Sequence, residues 1–193
     1  MTMNIAVILG NPYEESLCHA LGAAYIKGAE DAGAKVRTID LSKITFNPNL
    51  KYGYHQRMDL EEDLIAAQET IRWADHLVIV YPIWWGTMPA ILKGFFDRLF
   101  LPGFSYKPRP NSLLYDKLLK GKSARLIVTM DSPPLYYRLA LRGAGHRIMK
   151  QGILQFCGVK PVRITEFGSV KASSEQTRNK WLAKANQLGR NNA

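Results

Sequence analysis

The sequence alternates short apolar runs with stretches of helical periodicity, and this alternation constrains the fold more than any other feature. Five runs rich in β-branched and other apolar residues predict strands: Asn4–Leu9, Lys35–Asp40, His76–Tyr81, Arg125–Met130 and Val162–Phe167. Strands that are separated by helices form βαβ units. Because such units connect parallel strands, we expect one parallel sheet with helices on both faces.

Helical periodicity fills most of the intervening segments. Apolar residues recur at helical spacing from Leu17, from Leu60, from about Pro89 and over His146–Phe156. Gly33 is expected to end the first helix, and a capping box from Ser173 to Gln176 to start the last. These elements predict one α/β domain over residues 1–193, with strand order 2-1-3-4-5.

Two long segments, Ser42–Asp59 and Pro102–Lys122, show neither a strand-like apolar run nor helical periodicity. Loops of this length inside a compact domain usually cover a site or form an interface. No linker or repeat divides the chain.

The net charge of +10 is the least ordinary feature of the composition. A basic surface attracts nucleic acid, anionic lipid or a phosphate-bearing small molecule, and it can also be solvated surface without one role. The Lys and Arg residues are dispersed, and no nucleic-acid-binding motif is present. We therefore expect no nucleic-acid partner, and peripheral membrane association stays open.

Several classes of protein are disfavoured. The longest uncharged stretch, between Asp75 and Lys93, contains Pro82 and Pro89 and is shorter than the roughly 20 residues that span a bilayer. The start lacks a basic signal-peptide region. Two distant cysteines do not form a disulfide framework, and scattered histidines predict no metal site. We expect a cytoplasmic protein.

The expected topology places a ligand beyond the carboxyl ends of the strands, where the winding reverses between strands 1 and 3. Three unusual loops follow strands 1, 3 and 4: Gly10–Ser16, Pro82–Met88 and Asp131–Tyr137. Because these strands are adjacent in the expected order, the loops should converge on one crevice.

The first loop runs into a helix N-terminus, whose free N–H groups and partial positive charge bind phosphate. The amides of Ser16, Leu17 and Cys18 and the Ser16 hydroxyl are the candidate donors. Ser16 as a simple N-cap is the alternative, and the acidic Glu14 and Glu15 oppose an anion unless they point away.

The second and third loops carry aromatic residues between prolines. The segment PIWWGTMP offers flat surfaces on which a planar heteroaromatic ring can rest, although core or interface packing is an equal alternative. The segment DSPPLYY ends in Tyr136 and Tyr137, whose hydroxyls can hydrogen-bond a carbonyl oxygen during reduction. Surface or dimer packing is the alternative there. No GxGxxG follows strand 1, so phosphate is bound without that fingerprint.

The run Pro82–Gly94, continuing FFDRLF, resembles the signature segment of the NAD(P)H:quinone oxidoreductase family with a flavodoxin-like fold. That family includes the DT-diaphorase type, bacterial modulators of drug activity and ancillary oxidoreductases of potassium-efflux systems. The segments AQETIRWADHLVIVYP, Phe104-Ser105-Tyr106 and GILQFCGVKP follow the family's order, so the resemblance covers nearly the whole chain.

The resemblance implies a bound flavin, FMN with FAD as the alternative. Its implied cofactor contacts are Asn11, Ser16, Leu17, Cys18, Gln68, Pro82, Ile83, Trp84, Trp85, Gly86, Thr129, Met130 and Asp131. It places Gln68 near the phosphate end of the flavin. It also implies a homodimer, in which Phe104 and Tyr106 reach the substrate pocket from the second subunit.

The implied activity is a ping-pong, two-electron reduction of quinones or similar electron-poor aromatics, with NADPH or NADH as hydride donor. Tyr137 and Tyr136 are the candidate catalytic residues. Two alternatives are a flavin-binding regulatory subunit of a membrane transporter and a non-catalytic electron carrier. The chain departs from the family where a common TTGG loop is Thr129-Met130-Asp131-Ser132 and where a common histidine is Asn11.

Overall fold

A computed structural model describes residues 2–191. The strands are β1 (Asn4–Leu9), β2 (Lys35–Asp40), β3 (His76–Pro82), β4 (Tyr106–Pro108), β5 (Tyr115–Lys117), β6 (Ser123–Thr129) and β7 (Val162–Phe167). The α-helices are α1 (Leu17–Asp31), α2 (Glu62–Trp73), α3 (Ala90–Leu99), α4 (Pro134–Ala140), α5 (Ala144–Arg147) and α6 (Glu175–Arg190), and a π-helical segment covers Ile148–Gln155.

The main sheet has five parallel strands in the order β2-β1-β3-β6-β7. This is the predicted order 2-1-3-4-5, because β4 and β5 form a separate antiparallel hairpin. The predicted α/β class and flavodoxin-like topology are therefore confirmed.

Helices cover both faces of the sheet, as the sequence predicts. The alternate residues of β3 divide between two cores: Val78 and Val80 pack with α1 and α6, and Leu77, Ile79 and Tyr81 pack with α2 and α3. Every residue of β3 is buried, which explains its continuous apolar sequence. No helix among residues 2–191 combines the length and apolarity needed to cross a membrane.

Four local expectations are wrong. The predicted loop Asp131–Tyr137 includes the start of α4, which covers Pro134–Ala140. The predicted single helix over His146–Phe156 is α5 followed by the π-helical segment, whose wider winding buries Met149 and Leu154, five residues apart. As a result, the apolar side chains of Ile148 and Phe156 are partly exposed.

The other two differences concern a cap and a loop. The N-cap of α6 is Ser174, whose Oγ accepts a hydrogen bond from the amide of Thr177, so the capping box predicted from Ser173 is displaced by one residue. The irregular segment Pro102–Lys122 contains the β4–β5 hairpin.

Helices α1 and α6 cross at very short distance, which fixes α6 against this face of the sheet. A Cβ atom at Gly28 would lie 2.0 Å from the carbonyl oxygen of Asn186, and one at Gly189 would lie 2.1 Å from that of Tyr25. These neighbours are backbone atoms, which cannot move aside as a flexible side chain would. The two glycines therefore allow the helices to touch through their backbones.

We expect Gly28→Ala to lower the free energy of unfolding by about 1 to 3 kcal/mol, because the added methyl overpacks this crossing. The matched control is Gly152→Ala, since a Cβ at Gly152 would meet no atom within 4 Å. Urea denaturation followed by circular dichroism measures both. Equal stability of the two variants would contradict the close crossing.

Candidate functional site

The three predicted loops meet in one crevice at the carboxyl edge of the sheet. This crevice has a volume of about 190 Å³ and is lined by Asn11, Leu17, Cys18, Pro82, Ile83, Trp84, Thr129, Met130, Asp131 and Val170. The register explains the convergence, since Leu9 pairs with Val80 and Pro82 pairs with Thr129. Nine of the thirteen residues predicted to contact a cofactor thus line one pocket.

The first loop ends in a capped helix. The Oγ of Ser16 accepts a hydrogen bond from the amide of His19 at 3.4 Å and lies 3.0 Å from the Nδ1 of the same residue. The amides of Leu17 and Cys18 donate to no protein acceptor in the described part of the chain. Unpaired amides at a helix N-terminus are groups that can bind an anion, and we call this pair the candidate anion site.

Cys18 connects the first loop to the third. Its Sγ lies 3.2 Å from the Oγ1 of Thr129, and both residues are buried. Burial raises the pKa of the Cys18 thiol to about 11, against a smaller lowering by hydrogen bonds to Thr129 and Asn11. The thiol is therefore neutral at physiological pH and brings no negative charge to the candidate anion site.

Asn11 shapes the same loop. Its side-chain Oδ1 accepts a hydrogen bond from the amide of Tyr13 at 3.0 Å, which closes a local turn. Asn11 is buried at the wall of the crevice, as a cofactor contact would require.

The second loop is a tight turn held by two hydrogen bonds between the backbones of Trp84 and Thr87, at 2.8 and 3.1 Å. Its two central residues, Trp85 and Gly86, have φ of 48° and 80°. Positive φ at both positions is typical of a type I′ turn, and it is uncommon for a residue with a side chain. The turn therefore accepts backbone strain at Trp85 next to the site.

Tyr137 holds this turn in place through its side-chain hydroxyl. It is completely buried, and its hydroxyl donates to the carbonyl oxygen of Gly86 at 2.9 Å and accepts from the amide of Gly145 at 2.8 Å. Burial raises the pKa of Tyr137 above its ordinary value, so the hydroxyl stays a donor. The prediction that Tyr137 donates to a substrate does not fit this placement, because its proton is already used by the backbone.

The packing around Tyr137 leaves no room for adjustment. A Cβ at Gly145 would lie 2.7 Å from the Tyr137 hydroxyl and 2.8 Å from the Gly86 carbonyl oxygen. The imidazole of His146 packs against the Tyr137 ring at 4.9 Å, and its Nε2 lies 2.7 Å from a carboxylate oxygen of Glu166. Arg138 also donates to this carboxylate.

A fourth loop, after β7, completes the wall and was missed from the sequence. The amide of Val170 donates to the carbonyl oxygen of Met130, and the amide of Lys171 donates to the carboxylate of Asp131. The predicted strand order could have indicated this loop, because β7 neighbours β6 and the loop after β7 must therefore lie at the same edge of the sheet.

Four predicted contacts do not line the crevice. Ser16 lies beside it as the helix cap, Trp85 is fully exposed to solvent, and Gly86 forms the turn. Gln68 is directed elsewhere, because its buried amide donates to the carbonyl oxygen of Leu99 and accepts from Arg72. That contact uses Gln68 to join α2 to α3, and the expected position of Gln68 near the phosphate end of the flavin stays a prediction.

The two residues expected in the substrate pocket also lie away from this crevice. Phe104 is buried, with its ring 5.9 Å from that of Phe100, and is therefore part of the core. Tyr106 lines a second cavity of about 400 Å³ and packs edge-on against Tyr115 and Phe156.

A polar network supports the outer side of the candidate anion site. The Nε2 of His19 and the Oγ of Ser42 lie 3.0 and 2.7 Å from the same carboxylate oxygen of Asp40. Burial raises the pKa of Asp40, but hydrogen bonds from Ser42 and His19 outweigh it and bring the pKa below its ordinary value. The ionised Asp40 thus orients His19, which contacts the capping Ser16.

The crevice fits a flavin by its chemistry. Free helix amides at one end suit a phosphate, while Leu17, Pro82 and Ile83 give an apolar wall for a planar ring. A doubly wound sheet with this crevice between β1 and β3 defines the flavodoxin-like class of proteins.

A sequence profile of a family described by its flavodoxin-like fold matches residues 3–188, and the chain belongs to this family. It is 28% identical over 190 residues to an "uncharacterized NAD(P)H oxidoreductase" of Haemophilus influenzae, covering 96% of this chain and 93% of that protein. It is 31% identical over 156 residues to the human ribosyldihydronicotinamide dehydrogenase (quinone), covering 75% of this chain and 66% of that protein.

A solved structure from Streptococcus mutans superimposes with a TM-score of 0.86 at 32% identity, covering 98% of this chain and 100% of the other. These similarities confirm the resemblance inferred from the sequence.

We expect Tyr137→Phe to lower the free energy of unfolding by about 1 to 3 kcal/mol, because it leaves the partly buried Gly86 carbonyl and the buried Gly145 amide without their partner. The neighbouring Tyr136→Phe, in an exposed ring, should stay within about 0.5 kcal/mol. Urea denaturation compares them. A Tyr137→Phe protein as stable as the parent would show that this hydroxyl does not hold the turn.

Proposed function

We propose that the chain is a flavin-dependent NAD(P)H dehydrogenase that reduces quinones or similar electron-poor aromatics. The observation that carries the proposal is the crevice where β1, β3 and β6 end, with free helix amides beside an apolar wall. The family membership and the oxidoreductase names of its relatives agree with it. Those names favour neither a transporter regulator nor an electron carrier.

The residues divide into a phosphate end and a ring end. The amides of Leu17 and Cys18 and the Ser16 hydroxyl hold the phosphate, while His19 and Asp40 orient Ser16. Glu14 and Glu15 do not oppose this, because both are exposed and Glu14 pairs with Lys43.

At the ring end, Pro82, Ile83 and Trp84 contact one edge of the cofactor and Thr129, Met130 and Asp131 another. The bound flavin supplies the two-electron chemistry between NAD(P)H and the acceptor. FMN suits the phosphate end, with FAD as the alternative.

The two tyrosines of α4 have different roles. Tyr137 positions the Trp84–Thr87 turn through the Gly86 carbonyl. Tyr136 lies exposed beside it, so its hydroxyl can donate a hydrogen bond to the oxygen of an acceptor as it is reduced. Tyr136 is the candidate catalytic residue that keeps its sequence-based role.

We further propose a cytoplasmic homodimer. The crevice is an open pocket formed by loops of one subunit, and a partner is needed to cover the exposed side of a flavin ring. The cavity at Tyr106, Phe156 and Phe96 is a second apolar surface, on a different part of the subunit, and it is the candidate contact with the partner.

The phosphate end predicts that FMN binds at least about tenfold more tightly than riboflavin, since hydrogen bonds to a charged group contribute about 1.5 to 3 kcal/mol each. Ser16→Ala should reduce this ratio. Flavin fluorescence quenching measures both affinities. Equal affinity for FMN and riboflavin would contradict the phosphate site, and markedly tighter binding of FAD would favour that alternative.

Ser174→Ala is the matched control, because Ser174 caps α6 in the same way that Ser16 caps α1. It should lose similar stability, about 1 kcal/mol, and keep the FMN preference. Oxidation of NADPH or NADH with a soluble quinone by the flavin-loaded protein tests the activity itself. Tight FMN binding without turnover would contradict the proposed enzyme activity but would still support the flavin site.

A further inference from the structure

The third loop brings a carboxylate into the wall of the crevice. Of the ten described residues that line the crevice, Asp131 alone has a side chain with a formal charge. Burial raises the pKa of the Cys18 thiol to about 11, so this second acidic group stays neutral. In place of the TTGG common in the family, the chain has Thr129-Met130-Asp131-Ser132. The carboxylate is therefore a feature of this chain.

The neighbouring loop after β7 holds this carboxylate in place. One oxygen of Asp131 accepts a hydrogen bond from the amide of Lys171 at 3.2 Å, and the other lies 3.3 Å from the Nζ of Lys171. The amide of Val170 donates to the Met130 carbonyl at 3.2 Å, so the two loops are also joined through their backbones. These contacts fix the position of the charge at the crevice.

Lys171 compensates this charge only in part. The side chain of Lys171 is 87% exposed, whereas that of Asp131 is 53% exposed. Ion pairs between exposed side chains are weak and are screened by salt. Because the ammonium is the more exposed of the two groups, solvent screens it more effectively than the carboxylate. A ligand in the crevice is therefore expected to experience net negative charge from this pair.

This charge is important because reduction changes the charge of a flavin ring. In the proposed reaction, NAD(P)H gives a hydride to the oxidised flavin, so the nicotinamide is oxidised to NAD(P)⁺ and the neutral ring becomes an anionic reduced ring. The hydride then passes to the quinone, which also takes one proton from solvent, and the ring returns to its neutral oxidised state. A fixed negative charge beside the ring raises the free energy of the reduced state more than that of the oxidised state.

We infer that Asp131 lowers the reduction potential of the bound flavin and that Lys171 offsets part of this effect. The inference rests on the proposed function for the presence of the flavin, but it does not require turnover. The phosphate of FMN keeps its charge when the ring is reduced, so repulsion between Asp131 and the phosphate affects both redox states alike. A partner subunit over the crevice would exclude water and extend the reach of the charge.

The test is the reduction potential of FMN bound to the protein, measured by anaerobic equilibration with a reference dye. Asp131→Asn removes the charge and keeps an oxygen that can accept the hydrogen bond from the Lys171 amide. It should shift the equilibrium between bound oxidised and reduced flavin about 3- to 10-fold towards the reduced state, which is roughly 15 to 30 mV for two electrons. Lys171→Gln should shift the equilibrium in the opposite direction.

Asp131→Ala separates the effect of the charge from that of the hydrogen bond. This variant loses both, so its potential should equal that of Asp131→Asn, while its affinity for oxidised FMN should be lower because the third loop is held less firmly. Flavin fluorescence quenching measures this affinity. If Asp131 served only to hold the loop, the potential of Asp131→Asn would stay at the parent value.

The matched controls are Asp31→Asn and Lys27→Gln. Lys27 and Asp31 form a surface ion pair near the end of α1, whereas the crevice lies at the start of the same helix, at Leu17 and Cys18. The length of α1 puts the pair roughly 15 to 20 Å away, beyond the screening length of about 8 Å at physiological salt. Both control variants should keep the parent potential.

Several outcomes would overturn the inference. These are an unchanged potential in Asp131→Asn, an equal shift in Asp31→Asn, or a shift in Lys171→Gln in the same direction as in Asp131→Asn. Each would do so even if the protein binds FMN and reduces quinones. Failure to bind flavin would overturn both this inference and the proposed function. The expected shifts in a protein without turnover would support the inference and contradict only the proposed enzyme activity.

Discussion

The parallel register of β1, β3 and β6 is the constraint on which the site depends. Leu9 of β1 pairs with Val80 of β3, and Pro82 of β3 pairs with Thr129 of β6. The three strands therefore end at nearly the same level, and their loops leave the sheet side by side. The buried contact between Cys18 and Thr129 then joins the first loop to the third. This arrangement supports the proposed flavin site, because it brings the helix amides and the apolar wall within reach of one ligand.

The strands of the sheet could be predicted from the sequence, because a strand that is buried on both faces has a continuous apolar sequence. Apart from their first residues, the runs Asn4–Leu9 and His76–Tyr81 are apolar, and once the order of the strands is known the meeting of the loops follows. Side-chain direction could not be read in this way. Tyr137 and Tyr136 are neighbours with the same chemistry, yet the helical turn of α4 buries one and exposes the other. That helix was itself missed, because its exposed leucines give no amphipathic pattern of the usual kind.

Carrying residues over from a family has a related limit. Most of the loop contacts do line the crevice, since loops at a sheet edge keep their place when the strands do. Gln68 lies within a helix, and its direction depends on which partner its amide finds; here the partner is the Leu99 carbonyl. For the second loop, the sequence predicts a stiff turn, but only the structure shows that contacts with Tyr137 and Gly145 hold the turn in place.

Amide chemical-shift mapping tests the central claim most directly. In a ¹⁵N-labelled sample titrated with FMN, the account predicts the largest shifts in residues 11–18, 83–88 and 129–131, with smaller changes at Val170 and Lys171. Shifts that concentrate instead around Tyr106 and Phe156, or that are confined to only one of the three loops, would contradict a single flavin site at the carboxyl edge of the sheet.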